Sequence, residues 1–208
     1  MQTILYTAPT EIENEIEISS TLMDIGVDYI YIRKPELDDF SLVDFMEKLP
    51  EKYWKQCIST SLIITKEFDL GGYHFTREIL QKNTAYNNKI LDWLHANHKI
   101  SSVSAHHIDD IKKYDDQFNH IIVSPIFKSI SKENHHNNWN FDELSLILSQ
   151  YKSSKKFAIG GIEADVQKIN IVKKCNFDGI GILGAIWNEP QNAIEQYKKI
   201  EQQINNAK

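Results

Sequence analysis

The sequence predicts an α/β protein folded as a single-domain (β/α)8 TIM barrel over residues 1–208, and three observations carry that prediction. Short apolar runs alternate with longer segments of helical period from one end of the chain to the other. The count reaches about eight βα units, the number that closes such a barrel. A chain of 208 residues buries one sizeable core, and no linker, repeat or low-complexity stretch divides it. Periodicity alone leaves an open doubly wound sheet as the alternative. A barrel of this length must have short loops.

The strands are read at Ile4–Thr7, Tyr29–Arg33, Leu62–Thr65, Tyr73–Thr76, Ile100–Ser104, His120–Ser124, Phe157–Gly160 and Gly179–Leu183. They are short and rich in Ile, Val, Tyr and Phe, as buried parallel strands are. The helices between them carry start signals. Thr10 with Glu13 reads as a capping box before Ile12 and Ile16. Ser41 precedes Leu42, Phe45 and Leu49, and Pro50 ends that helix. The polar segment Thr84 to Asn88 reads as a loop. Asn140 with Glu143 opens a helix striped by Leu144, Ile147 and Leu148, and Asp165 or Glu163 opens the next. Pro190 fits the first turn of a last helix in which Ile194, Tyr197, Ile200 and Ile204 recur.

Composition removes several function classes. Net charge is −6, with acidic residues spread along the chain, so no nucleic-acid partner is expected. Cys57 and Cys175 lie far apart without zinc spacing, which fits a reducing compartment. No stretch reaches the roughly 20 apolar residues of a membrane span. The first residues lack the basic start and apolar run of a signal peptide. A cytoplasmic protein without a membrane partner is the expectation, and a homo-oligomer is common enough to expect.

In a parallel architecture the chemistry belongs just after the strand C-termini. After strand six, Ser129, Ser131 and Lys132 offer two hydroxyls and an ammonium, an anion grip or an ordinary solvated loop. Strand seven ends in Gly160-Gly161, which lets backbone approach a ligand or simply forms a tight turn. Strand eight runs through small residues to Gly184 and Ala185 at the start of a helical turn. Taken together, the three loops read as a phosphate site. Arg33 closes strand two at the same rim, where it pairs with an anion or locks a structural ion pair. His74 in strand four and His106 past strand five are acid/base candidates. His106-His107 and His135-His136 lack an acidic partner at zincin spacing, so no metal site is assigned. The run Glu11, Glu13, Glu15, Glu17 reads as the exposed face of a helix.

Five segments in register resemble the thiamine-phosphate synthase and thiazole tautomerase superfamily. Pro125 to Lys132 is similar to its GP-V-F-x-T-x-T-K loop, with serines for threonines. Ser102-Val103-Ser104-Ala105-His106 resembles G-V-S-x-H, and Gly72-Tyr73-His74-Phe75 resembles G-V-H-L. Ala158 to Ile162 matches A-I-G-G-I, and Gly179 to Ile186 matches the last strand and phosphate turn. The resemblance implies a TIM barrel that binds a hydroxyethyl-thiazole phosphate. Ser129, Ser131 and Lys132 would face that ligand, with His74 and Ser104 lining the pocket. Gly160, Gly161, Gly184 and Ala185 would hold its phosphate through backbone N–H groups, Gly184 replacing a family serine.

The departures fall on the opposite side. Where the family has Gln-x-Arg-x-Lys, this chain has Tyr31-Ile32-Arg33-Lys34-Pro35. The metal-binding Asn-Asp after strand three aligns with Thr65-Lys66, and a second Asp aligns with Ile79. Magnesium favours carboxylate and phosphate oxygens, so the metal and pyrophosphate subsite is degenerate. No cofactor is therefore expected; Mg²⁺ enters only for the synthase, with Lys34, Lys66 or Glu78 in altered roles. The expected activity is tautomerase-like. His106, at the position the family uses for proton transfer, would act as acid/base, and Arg33 would receive the substrate carboxylate. A divergent thiamine-phosphate synthase and a non-catalytic thiazole-phosphate binder are the alternatives.

Overall fold

A computed structural model of the chain describes residues 1–127 and 139–206. Ser129, Ser131 and Lys132 lie outside the described residues. The elements run β1 (Gln2–Tyr6), α1 (Glu15–Asp24), β2 (Tyr29–Ile32), α2 (Asp39–Lys48), β3 (Cys57–Ser59), α3 (Leu62–Glu67), β4 (Gly72–Phe75), α4 (Arg77–Lys82) and α5 (Thr84–Ala96). They continue with β5 (Ile100–Ala105), α6 (Ile108–Tyr114), β6 (His120–Val123), α7 (Phe141–Gln150), β7 (Lys155–Ile159), α8 (Val166–Lys174), β8 (Gly179–Ile182), α9 (Gly184–Trp187) and α10 (Ala193–Asn206). All eight strands pair in parallel in sequence order, and β8 pairs back on β1 through Thr3↔Ile180 and Leu5↔Ile182. The expected (β/α)8 TIM barrel is the fold, and the open sheet is excluded.

Strand alternation makes two apolar regions. Residues facing the helices form the larger one, with Leu5, Ile30, Phe75, Val103, Ile121, Ala158 and Ile180 among them. Inward residues form the second: Ile4, Tyr6, Tyr31, Ile58, Ile122 and Phe157, with Tyr29, Ile100 and Ile159 against them. The barrel is thus a packed core, and chemistry is confined to its C-terminal mouth. Trp187 on α9 donates its indole N–H to Tyr6 O at 2.6 Å, which ties the last turn to the first strand.

Helix starts follow side-chain chemistry. Asn140 accepts from Asp142 N and Glu143 N, and Asp165 accepts from Gln167 N and Lys168 N. Asp38 rather than Ser41 caps α2, accepting from Ser41 N. Thr10 and Glu13 form no capping box: α1 starts later, after Asn14 in left-handed backbone with no side-chain cap. Pro190 opens a short 3-10 turn, and α10 begins at Ala193.

Three further expectations are corrected. Leu62–Thr65 is helix, not the third strand, which is Cys57–Ser59. Tertiary pairing overrides β propensity, because Ile58 and Ser59 are the residues in register with β2 and β4. Thr84–Asn88 belongs to α5, which Asn83 caps by accepting from Tyr86 N. Glu15 is buried at 5% exposure, not on a solvated face. It accepts from Ala8 N at 2.8 Å and pairs with the ammonium of buried Lys34.

Among the described residues no helix is long and apolar enough to cross a membrane.

Candidate functional site

The strand C-termini bring Arg33, Thr60, Thr76, His106, Ser124, Gly160 and Gly184 to one rim. Of the residues singled out in the sequence, Arg33, His74, Ser104, His106, Gly160, Gly161, Gly184 and Ala185 all lie on or just below it.

His106 follows β5. Its backbone N–H donates to the Asp110 carboxylate at 2.9 Å, and the same carboxylate accepts from His107 N at 3.0 Å. Its Nδ1 stands 2.7 Å from Ser124 O, which can only accept, so Nδ1 carries the proton. In the neutral ring the lone pair therefore resides on Nε2. The imidazole is half-buried and its orientation is fixed by the residue that follows β6.

After β7 the chain turns at Gly160 (φ 98°) and Gly161 (φ 66°), backbone that glycine adopts without strain. Ile159 O accepts from Ile126 N at 2.8 Å, and Gly160 O accepts from Phe127 N at 3.1 Å. In a trans peptide the N–H points opposite its carbonyl, so the N–H groups of Gly160 and Gly161 both turn away from β6. Consecutive N–H groups on one side form an anion-binding concavity. A Cβ on Gly160 would stand 2.8 Å from Pro125 Cβ, so the turn has no room for a side chain. Across the seam α9 starts at Gly184 without a side-chain cap. The N-terminus of α8, by contrast, is occupied by Asp165. Lys168 pairs with Glu163 and donates to Gly161 O at 3.2 Å, which braces the glycine turn from behind.

The β1–β4 side has a different make-up. Tyr6 and Tyr31 pack ring to ring at 5.2 Å inside the mouth. Burial pushes both phenols above their ordinary range. Arg33 is exposed at the end of β2. Its charge opposes protonation of His74, whose pKa is lowered to about 3, chiefly by burial. His74 bonds Ser102 Oγ at 2.9 Å and Ser104 Oγ at 3.1 Å, so both ring nitrogens are engaged and the ring is held neutral.

Lys34 is committed to Glu15 and to Thr10 O. Lys66 stands over the Trp93 ring at 4.8 Å, and Glu78 is exposed on α4. With the third strand ending at Ser59, the residues that follow it are Thr60 and Ser61, not Thr65-Lys66. The residues after β4 are Thr76 and Arg77. None is a carboxylate, and among the described residues no three His, Cys, Asp or Glu gather to hold a metal ion. The donors at these positions do not fit Mg²⁺.

Sequence reasoning missed Tyr31, Ser102 and His120, whose side chains join below His74. The signal was available: they are polar groups at inward positions of parallel strands, where apolar residues are the rule.

A family model described as thiamine monophosphate synthase matches residues 4–186. Thiamine phosphate pyrophosphorylase from Bacteroides thetaiotaomicron superposes with a TM-score of 0.77 at 22% identity, covering 99% of this chain and 98% of that one. The enzyme of the same name from Pyrococcus furiosus gives 0.77 at 14% identity, over 99% and 96%. A 3-hexulose-6-phosphate synthase from Salmonella typhimurium gives 0.72 at 12% identity over the whole of both chains. At these identities the structural likeness carries the fold alone. No curated protein sequence matches.

Proposed function

The chain belongs to the thiamine monophosphate synthase family, and on that premise we propose that it binds a hydroxyethyl-thiazole phosphate and catalyses a tautomerase-like proton transfer on it. The observation that carries the reading is the fixed His106 imidazole, whose Nδ1 donates to Ser124 O and so places the lone pair of the neutral ring on Nε2. In the proposed reaction Nε2 takes a proton from one carbon of a carboxylated thiazole phosphate and returns it to another atom of the conjugated system. Nothing else is gained or lost, and no metal is needed.

The consecutive N–H groups of Gly160 and Gly161, with the amides of Gly184 and Ala185, are the proposed phosphate clamp. Ser129, Ser131 and Lys132 would complete the pocket, and Ser104 would line it. Arg33 would receive the carboxylate as a charge-assisted pair. Purified protein is expected to accelerate tautomerisation of the carboxylated substrate, and His106→Ala to lower kcat by about 100-fold or more. No acceleration by wild type, or equal rates for the two proteins, would sink the proposal.

The family match favours a second reading, the synthase that joins a pyrimidine pyrophosphate to the thiazole phosphate. Assaying both substrates with Mg²⁺ separates the two. Turnover there would make Thr60, Ser61 and Thr76 part of a metal site built without the expected carboxylates. Binding of thiazole phosphate with neither activity would leave a non-catalytic binder.

A further inference from the structure

Below the mouth, the barrel interior carries an unbroken line of hydrogen bonds that the proton transfer itself does not use. It joins His120 Nδ1 to the Tyr31 hydroxyl at 3.1 Å and Tyr31 to Ser102 Oγ at 3.0 Å. From there it runs to His74 Nδ1 at 2.9 Å and from His74 Nε2 to Ser104 Oγ at 3.1 Å. His120, Tyr31, Ser102 and His74 are buried, whereas Ser104 is half-buried near the end of β5. Tyr31 is long enough to reach from β2 across to β5 and β6; the family resemblance puts a Gln at its position.

Each hydroxyl has one proton, so a line in which every bond is made runs in one direction only. The direction is set at the link where Tyr31 donates to Ser102. Ser102 then gives its own proton to His74 Nδ1. Tyr31, with its proton committed, accepts from His120 Nδ1. Burial keeps both imidazoles neutral near neutral pH, lowering each pKa to about 3, so each has a single N–H. For His120 it lies on Nδ1, and for His74 on Nε2. His74 therefore donates to Ser104, and the Ser104 proton is directed elsewhere. Among the described residues the Ser104 hydroxyl is hydrogen-bonded to His74 alone.

We infer that Tyr31 and His120 are positioning residues that fix the proton order of the barrel interior, so that Ser104 meets a ligand as a hydrogen-bond donor. The inference rests on the reading above that Ser104 lines the substrate pocket. The ligand groups it favours are acceptors: a carboxylate or phosphoryl oxygen, or an unprotonated ring nitrogen.

Nitrogen-15 NMR of the histidine rings in the full, ligand-free chain at neutral pH tests the proton order directly. The expected spectrum has His120 protonated on Nδ1 and His74 on Nε2. A His74 proton on Nδ1, or a doubly protonated ring at either site, would overturn the inference. Tyr31→Phe deletes the directing link. It is expected to shift the His74 signals and to weaken binding of the carboxylated thiazole phosphate about tenfold, with no further loss on adding Ser104→Ala. Unchanged His74 signals and affinity in Tyr31→Phe would also overturn it.

If Tyr31→Phe fails to fold, a second pair of variants decides. His120→Asn can offer an N–H where Nδ1 stands and keeps the His74 pattern, whereas His120→Asp offers a carboxylate acceptor there, draws the Tyr31 proton away from Ser102 and loses it. Loss in both, or in neither, counts against the inference. A wild type that does not bind the thiazole phosphate removes the proposed substrate, while the tautomers still report the proton order.

Discussion

The half of the mouth built by β5 to β8 presents backbone: the Gly160-Gly161 turn, the uncapped start of α9, and one imidazole held by a carbonyl. The half built by β1 to β4 presents side chains already bonded to one another: the Tyr6–Tyr31 pair, His74 between two serines, and Lys34 against Glu15. Backbone N–H groups survive every substitution but proline, so what the first half presents depends little on the surrounding side chains. Apart from Arg33, exposed at the end of β2, these polar groups of the second half are spent internally. The two kinds of surface are separated by about half the circumference of one barrel.

The largest expected break in this comparison is acid. His74 and His120 have pKa values lowered from 6.5 to about 3. As pH falls below 6.5 the unfolded chain takes up protons that the folded barrel refuses. The stability these rings contribute is complete above about 6.5 and is lost as pH falls towards 3, a cost on the order of several kcal/mol for two such groups. Urea unfolding at pH 7, 5.5 and 4.5 is expected to show a steadily falling midpoint, and an unchanged midpoint would contradict neutral interior histidines.

Next in size, Lys34→Met leaves Glu15 buried without its cation and should lower stability by about 3–5 kcal/mol. Thiazole-phosphate affinity at low temperature should stay within a factor of two or so, because the pair lies in the spent half. A stable variant that has lost the ligand would move Lys34 into the site.

Gly160→Ala tests the other half. Strain at φ 98° and contact with Pro125 should cost about 1–3 kcal/mol, and calorimetry should show phosphate-ligand affinity falling further than stability explains. Smallest of all, Lys66→Ala removes one cation from the exposed face of Trp93. The expected loss is about 0.5–1 kcal/mol with no change in kcat. A large loss of activity there would restore Lys66 as a substrate contact.

The barrel was legible because its strands alternate with helices of clear period, and the glycine turn because Gly-Gly at a strand end has few uses. The third strand was not. Cys57–Ser59 is three residues long, while Leu62-Ile63-Ile64-Thr65 has the composition of a strand and folds as a helix. Only the pairing of Ile58 and Ser59 with both neighbouring strands decides the matter, and that is non-local. The same misplacement sent the comparison with the family's Asn-Asp to Thr65-Lys66. The burial of Glu15 was hidden for a related reason. Its partner Lys34 lies in another βα unit, and nothing local distinguishes Glu15 from Glu13 or Glu17. His106 was singled out from its segment, but the carbonyl that orients it, Ser124 O, comes from the residue after β6 and was invisible in the sequence.

Gly179 and Gly181 give the eighth strand no side chain on its inner side. A Cβ on Gly179 would stand 2.5 Å from the Phe157 ring, and one on Gly181 would meet Ile159. The lumen beside this strand is therefore moulded by its neighbour, with Phe157 and Ile159 leaning into space that β8 leaves open. Depth beneath the Gly160-Gly161 turn is an adjustable dimension in this molecule: trimming Ile159 would lower the floor, while the backbone of the turn stays where it is.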